Sequence, residues 1–136
     1  MAARSKARKR ALDILFECEV RGLPLGATLD ERVLAADPPV NEYTVDLIRG
    51  IAERQDRIDE VVARYAEGWS LERMPAVDRN ALRIGVYEIL YVGGVPDPVA
   101  VTEAMSLVRD LSTDDSPGFV NGVLGNVLRN KTGLSA

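Results

Sequence analysis

Apolar side chains point in almost every direction from the segment Arg79 to Tyr91 when it is wound as a helix at about 100° per residue. Its polar exceptions are Arg79, Asn80, Arg83 and Glu88. Ala81 and Gly85 are small enough for a neighbouring helix to come close. Such a pattern is typical of a helix enclosed by others, and an amphipathic surface helix is the alternative. At about 20 Å the segment is too short to span a membrane, so we predict a buried central helix.

Helical spacing of apolar residues also precedes this segment. Residues 4–21 form one pattern, whose apolar stripe is Ala7, Ala11, Ile14, Leu15 and Cys18. Thr28 and Glu31 have the spacing of a capping box, which predicts a short helix over 29–36. Asn41 is a predicted N-cap of a helix that continues towards residue 67, with an interruption possible in the wholly polar stretch 54–57.

The pattern continues after the central helix. The glycine- and proline-rich stretch 93–98 is expected to turn the chain, and Thr102 is expected to cap a helix that runs through Leu111. Ser116 followed by Pro117 predicts an N-cap and a proline at the first helical position. The stripe of that last helix is Val120, Val123, Leu124, Val127 and Leu128. Its other face carries Gly122 and Gly125, which would admit either a neighbouring helix or a ligand.

These elements define the predicted fold class. No segment alternates apolar and polar residues with a period of two, so no strand is expected. We predict an all-α fold of six to seven helices, arranged as two small helical bundles that share a core. Residues 1–136 would form a single domain, with an N-terminal half of about 4–67 and a C-terminal half of about 69–130. Trp69 and Leu71 are expected to be core side chains at the joint between the halves.

Composition narrows the function class. The chain has no histidine, which removes the usual general base near neutral pH and the commonest metal ligand. It also lacks a cysteine pair, a phosphate loop and a nucleophile elbow, so we expect a binding protein with no metal and no cofactor. Cys18, its one cysteine, is expected in the core. The basic N-terminus is followed by no continuous apolar run, which predicts a cytoplasmic protein without a signal peptide.

Charge is distributed unevenly along the chain. Five basic residues and no acidic residue lie in the first ten positions, and these basic residues are Arg4, Lys6, Arg8, Lys9 and Arg10. The remaining 12 of the 17 basic residues are outnumbered by 21 acidic residues. The cations are expected on the first two turns of the first helix, away from its apolar stripe. A basic tip on an acidic body suggests an anionic partner such as nucleic acid and, separately, a cationic partner. The alternative is a solvated basic helix end.

Four segments in this order resemble the NusB family of bacterial transcription antitermination factors. They are RSKARKRALDILF at 4–16, DRNALRIGVYEILY at 78–91, VP at 95–96 and SPGFVNGVL at 116–124. The last segment, following the YEIL helix, is the most specific of them. Two positions depart from the family pattern: Gly125 stands where the family often has Asp, and Gly94 stands before Val95 and Pro96 where the family usually has Asp.

The resemblance implies a function and its partners. NusB proteins are all-α factors that bind single-stranded boxA RNA of ribosomal RNA operon transcripts. They act with a small-subunit ribosomal protein, NusE, in the antitermination complex on RNA polymerase. Carried over by motif, Glu88 would hold NusE, and the residues that contact RNA would be Arg4, Lys6, Arg8, Lys9, Arg10, Phe119 and Asn121. A homodimer through the apolar helix faces stays open.

Two other functions compete with this one. A similar helical module is fused to methyltransferases that modify ribosomal RNA cytosines, where it serves as a non-catalytic RNA-binding or adaptor module. The chain leaves no room for a cofactor domain after the helices, so we expect it to be inactive alone. A purely structural adaptor with a solvated basic tip is the third interpretation. RNA binding that falls steeply with salt would separate the first function from the third.

Overall fold

The computed structural model describes residues 2–35 and 40–134. In these residues the chain forms seven α-helices and two short 3₁₀ turns, without a strand, which confirms the all-α prediction. The helices are α1 (Ala2–Val20), α2 (Leu29–Ala35), α3 (Glu42–Glu53), α4 (Gln55–Tyr65), α5 (Ala76–Tyr91), α6 (Asp97–Leu111) and α7 (Ser116–Arg129). The 3₁₀ turns are Leu71–Arg73 and Lys131–Gly133. Residue 36, the predicted end of the second helix, lies outside the described residues.

Contacts divide the chain into two compact units, residues 1–55 and 56–136. The first unit contains α1, α2 and α3, and the second contains α5, α6 and α7 together with nearly all of α4. Inside the second unit, Arg83 of α5 donates from Nε to Oδ1 of Asp59 in α4 at 2.8 Å. That pair connects α4 to α5 inside this unit.

The first unit is built on the apolar stripe of α1. Ala7, Ala11, Ile14, Leu15 and Cys18 are each at most 2 % exposed, as the helical spacing predicted. Cys18 is a buried core residue, and its Sγ lies 3.3 Å from the Thr28 hydroxyl. A buried hydrogen bond of 2.9 Å from the Thr44 hydroxyl to the Ala7 carbonyl ties the N-terminal turn of α3 to α1. This bond holds the start of α3 against the second turn of α1.

The predicted central helix is confirmed as the buried core of the second unit. Its buried residues include Asn80, Arg83 and Glu88 as well as the apolar ones. A Cβ added at Gly85 would lie only 2.6 Å from a methyl carbon of Leu124 in α7, so the small residue is what lets α7 approach α5.

Polar groups buried along α5 have partners. Arg83 also donates from Nη2 to Asp59 Oδ2 at 3.0 Å and from Nη1 to Asn80 Oδ1 at 2.9 Å. The Asp78 carboxylate accepts hydrogen bonds from the Ser112 hydroxyl at 2.6 Å and from the Ser116 hydroxyl at 2.8 Å. A desolvated charge is costly unless it is paired, so these bonds reduce the free-energy cost of burying the polar side chains of α5. They also fix the loop between α6 and α7 to the first turn of α5.

The helix that follows Asn41 is interrupted inside the polar stretch 54–57, where the sequence allowed a break. The helix after Asn41 ends at Glu53 and a new helix starts at Gln55, because Arg54 leaves the helical conformation with φ −116° and ψ 20°. The predicted N-cap at Asn41 is confirmed, since its side-chain oxygen accepts from the Tyr43 amide at 2.7 Å.

Two predicted caps are wrong. Helix α6 begins at Asp97, with Pro98 in its first turn, where a proline's missing N–H removes no helical bond. Thr102 therefore lies inside the helix, and its hydroxyl donates to the Pro98 carbonyl at 3.0 Å. Ser116 is the first residue of α7 rather than its cap, and its hydroxyl donates to Asp78 Oδ2.

Candidate nucleic-acid interface

The five basic residues of α1 do not share one environment. Arg4, Lys6 and Lys9 are exposed, Arg10 is partly buried, and Arg8 is only 2 % exposed. The expectation that all five lie away from the apolar stripe is therefore wrong for Arg8. The reason is helical spacing: Arg8 precedes the buried Leu12 and Leu15 by four and seven residues, which places it on the core face.

Tyr43 receives two of these arginines on its ring. The guanidinium carbon of Arg4 lies 4.7 Å from the ring centroid, and that of Arg8 lies 5.8 Å from it. A cation over an aromatic face is attracted by the ring quadrupole, more strongly where water is excluded. Tyr43 thus stabilises a buried arginine and orients an exposed one. Sequence reasoning missed Tyr43, whose only signal was an aromatic residue two positions after the predicted helix N-cap Asn41.

A cleft of about 470 Å³ lies between the N-terminal part of α1, up to Asp13, and the start of α3. We call it the basic cleft; its lining residues are Ala3, Lys6, Ala7, Lys9, Arg10, Asp13, Asn41 and Thr44. Lys9 and Asp13 form an exposed ion pair at 3.6 Å. Within the described part of the chain, Lys6 and Arg10 form no salt bridge, so the cleft carries an excess of positive charge. An anion is the natural ligand of such a surface.

Phe119 lies in the second unit and contacts Trp69, which was not among the predicted RNA-binding residues. Its ring meets that of Trp69 edge to face, with the centroids 6.1 Å apart and the planes at 62°. Trp69 is 51 % exposed, so the prediction that it is a core side chain is wrong. The connection before α5 leaves its indole on the surface, where Phe119 covers one edge.

These two rings border a pocket of about 440 Å³, the aromatic pocket. Its other lining residues are Arg73, Met74, Pro75, Asp78, Thr113, Asp115 and Ser116. The Asp78 bonds to Ser112 and Ser116 hold one wall in place. A pocket with aromatic rings, apolar side chains and an exposed arginine can accept a flat, polar-edged group such as a nucleobase.

Asn121 is exposed on the glycine face of α7. A Cβ built at Gly122 would meet nothing within 4 Å, and one at Gly125 would meet only Nη1 of Arg129 at 3.5 Å. In the described residues, no neighbouring helix therefore packs on this face, and close helix packing occurs at Gly85 instead. The sequence left two interpretations of these glycines, a contact with a neighbouring helix or a surface open to a ligand, and the second one remains.

Glu88 is completely buried in the chain. The space beside Gly85 on the same helix is filled by Leu124, so a partner cannot approach there as the sequence argument supposed. A direct contact between Glu88 and another protein would need the surrounding helices to move. Its role toward a partner stays a prediction.

The structure brings Lys6, Lys9 and Arg10 together around one cleft and pairs Phe119 with Trp69 around another. Among residues 2–35 and 40–134, no group of three histidine, cysteine, aspartate or glutamate side chains is arranged to hold a metal ion.

None of the helices in the described ranges is long and apolar enough to cross a membrane.

Comparisons with known proteins agree with this architecture. The NusB family model matches residues 5–129. The chain is 59 % identical over 135 residues to a transcription antitermination protein NusB of a Nocardioides species, covering 99 % of this chain and 100 % of the relative. It is 55 % identical over 136 residues to the NusB protein of Kineococcus radiotolerans, with full coverage of both.

Solved structures give the same result. A NusB structure from T. maritima is 32 % identical, covers 93 % of this chain and 90 % of its own, and superposes with a TM-score of 0.77. A crystal structure of antitermination factors NusB and NusE in complex with double-stranded RNA is 26 % identical. It covers 95 % of this chain and 98 % of its own, with a TM-score of 0.81.

Proposed function

This chain belongs to the NusB family of non-catalytic transcription antitermination factors, and we propose that it binds the boxA element of ribosomal RNA operon transcripts together with NusE. The observation that carries the RNA part of this proposal is the basic cleft, with its uncompensated cations Lys6 and Arg10. The structural relative solved with NusE and RNA supports the partner part. We expect the chain to work in the cytoplasm, within the antitermination complex on RNA polymerase.

Phosphate contacts would come from the N-terminal turns of α1. Arg4, Lys6 and Lys9 present exposed charges, and Arg10 lines the basic cleft. Ammonium and guanidinium groups that meet phosphates release counterions, so binding should weaken steeply as salt is raised. These contacts set affinity and register but carry little sequence information. Arg8, enclosed against Tyr43, would act mainly by holding this region together.

Base recognition would come from the aromatic pocket and its neighbourhood. Single-stranded RNA offers splayed bases that stack on aromatic rings and expose their hydrogen-bonding edges. The exposed face of Trp69 and the adjoining ring of Phe119 are suited to stacking. The exposed amide of Asn121 is suited to a base edge. Stacking on an aromatic side chain contributes about 1–3 kcal/mol per base.

NusE would bind to the acidic part of the chain. Outside the first ten residues, 21 acidic residues outnumber 12 basic ones. Complementary charge speeds encounter with a basic protein and disfavours other partners. A homodimer is a further hypothesis, which measurement of the molar mass in solution would test.

The test is a titration of the purified chain with boxA RNA and with a scrambled RNA of equal composition, each with and without NusE. The proposal expects preference for boxA, affinity that falls with salt, and stronger binding when NusE is present. Equal affinity for both RNAs under all four conditions would contradict boxA recognition. No RNA binding at any salt concentration would leave only the structural-adaptor function.

A further inference from the structure

We propose that the aromatic pocket holds a guanine base of the RNA, and that Asp115 and Arg73 select guanine over the other bases. The inference rests on the proposed RNA-binding function and deepens it. Stacking on Trp69 and Phe119 alone accepts any base, because every base has a flat face. Selection therefore needs polar side chains that read the edge of the base.

Two side chains of opposite charge line this pocket without neutralising each other. Arg73 ends the 3₁₀ turn before α5, Asp115 directly precedes α7, and both are exposed. Throughout residues 2–35 and 40–134, neither side chain takes part in a salt bridge or a hydrogen bond. A donor group and an acceptor group therefore remain available to one occupant of the pocket.

The turn that carries Arg73 is held in place by a second arginine. Arg79 of α5 donates from Nη1 to the Leu71 carbonyl at 2.6 Å and to the Met74 carbonyl at 3.1 Å. These bonds fix the backbone on both sides of Arg73. Its guanidinium can adjust to a ligand while the wall that carries it stays where it is.

The backbone around Asp115 is fixed as well. The Thr113 amide donates to the Ser116 hydroxyl at 3.2 Å, and that hydroxyl donates to Asp78 Oδ2 at 2.8 Å. Asp78 is thus a second carboxylate of the pocket whose charge is already engaged by hydroxyl donors. Asp115 supplies the carboxylate that is still open, and binding does not have to order the wall behind it.

Guanine is the RNA base that matches a carboxylate. Its Watson–Crick edge carries two adjacent donors, N1–H and the N2 amino group, and an ionised carboxylate offers two acceptor oxygens and no donor. Adenine and cytosine place a ring acceptor beside their amino group, and uracil has acceptors on both sides of N3–H. Each of these three would set a lone pair against Asp115.

Arg73 fits the other side of the same base. The O6 and N7 atoms of guanine are acceptors, which suit the donor fork of an arginine. Trp69 is 51 % exposed and offers a face for stacking beside Phe119. The volume of about 440 Å³ lies within the range of about 300–1,000 Å³ that is usual for ligand pockets. A carboxylate would repel an RNA backbone, so guanine selection also explains why an open one lies here.

Inosine tests the assignment because it differs from guanosine only by the missing N2 amino group. Each guanosine of boxA RNA is replaced singly by inosine, and the RNAs are titrated with the wild-type chain and with Asp115→Asn. One replacement should weaken wild-type binding about tenfold, the size of one lost charge-assisted hydrogen bond. Asp115→Asn should bind unmodified RNA about tenfold more weakly and should lose the difference between guanosine and inosine at that position.

Asp114→Asn is the matched control. Asp114 is also exposed and changes the net charge equally, but it does not line the pocket. This variant should keep the guanosine preference of the wild-type chain. Loss of the preference in both variants would attribute it to charge near α7 and would overturn the role of Asp115.

Fluorescence of Trp69, the one tryptophan of the chain, reports on the pocket directly. Stoichiometric boxA RNA should change this signal, and guanosine monophosphate at the same concentration should not. Saturation by the free nucleotide at that concentration would overturn the assignment to RNA. Weaker binding of Asp115→Asn to NusE without RNA, together with an intact guanosine preference, would make the pocket a protein contact instead.

Failure of this inference differs from failure of the proposed function. If the wild-type chain binds boxA RNA but no inosine replacement weakens binding, guanine selection is wrong and the proposed function stands. Absence of RNA binding by the wild-type chain would contradict both.

Discussion

Single side chains determine how the basic end of α1 is used. Lys9 and Arg8 are adjacent in sequence, but Lys9 is exposed whereas Arg8 is 2 % exposed against the ring of Tyr43. An exposed cation contributes mostly to long-range attraction, which salt screens. A buried cation contributes to folding, provided that its interactions are kept. Adjacent basic residues of this chain therefore have different roles, attraction of an anion for Lys9 and stabilisation of the fold for Arg8.

Replacing Arg8 should affect stability more than RNA binding. We expect Arg8→Ala to lower the free energy of unfolding by about 2–4 kcal/mol, since it empties a buried site and removes the contact with Tyr43. Lys9→Ala is the matched control, and its effect should be within about 0.5 kcal/mol. Denaturant unfolding of the three proteins measures both values. Equal stability of the two variants would show that Arg8 is not held as the structure indicates.

Replacing Glu88 distinguishes a role in folding stability from a role in binding NusE. Because the side chain is completely buried, Glu88→Lys should strongly lower the melting temperature, and Glu88→Gln should lower it less. Thermal unfolding followed by circular dichroism measures this order. A fully folded Glu88→Lys protein with weakened NusE binding would instead place Glu88 at the protein interface.

At the scale of whole helices, glycine has different structural roles at two positions. In α5, Gly85 allows α7 to pack closely, and an added Cβ would lie 2.6 Å from Leu124. In α7, Gly122 faces open space within the described structure. The same residue type therefore marks a packed contact in one helix and an open surface in the other, which helical spacing alone does not reveal.

Alanine at each position tests this contrast. Gly85→Ala should destabilise the chain by about 1–3 kcal/mol through overpacking. Shortening Leu124 in the double variant Gly85→Ala, Leu124→Val should recover part of that loss. Gly122→Ala should stabilise the helix by up to about 1 kcal/mol, because alanine is the better helix former. Urea unfolding gives all three values, and a neutral Gly85→Ala would contradict the close packing of α5 and α7.

The helices could be predicted from sequence because apolar spacing reports on the buried face of each one. The start of α6 could not, because Asp97 and Pro98 suit a loop as well as a first helical turn. The candidate site was predicted in part. Exposed cations could be read from sequence, whereas the burial of Arg8 and the pairing of Trp69 with Phe119 depend on which helices pack together.

At the scale of the whole molecule, the position of charge matters more than its sum. The chain has a formal net charge of −4, yet its first ten residues hold five cations and no acid. The negative net charge of the whole chain would repel RNA, which is also negatively charged. Binding therefore has to rely on local attraction at the N-terminal turns. A change that keeps the net charge equal but alters its location can separate the two effects.

Two triple variants make that comparison. Arg4, Lys6 and Lys9 are replaced by alanine in one, and the exposed or partly exposed Arg49, Arg57 and Arg109 in the other, so both change the net charge from −4 to −7. The first should reduce the slope of log affinity against log salt by about 2, at roughly 0.7 per phosphate contact with a single strand. The second should leave the slope unchanged and lower affinity only slightly. RNA titrations over a range of salt concentrations measure both slopes. If the two variants lost equal slope, net charge would govern binding, and the N-terminal turns of α1 would not be the RNA-binding surface.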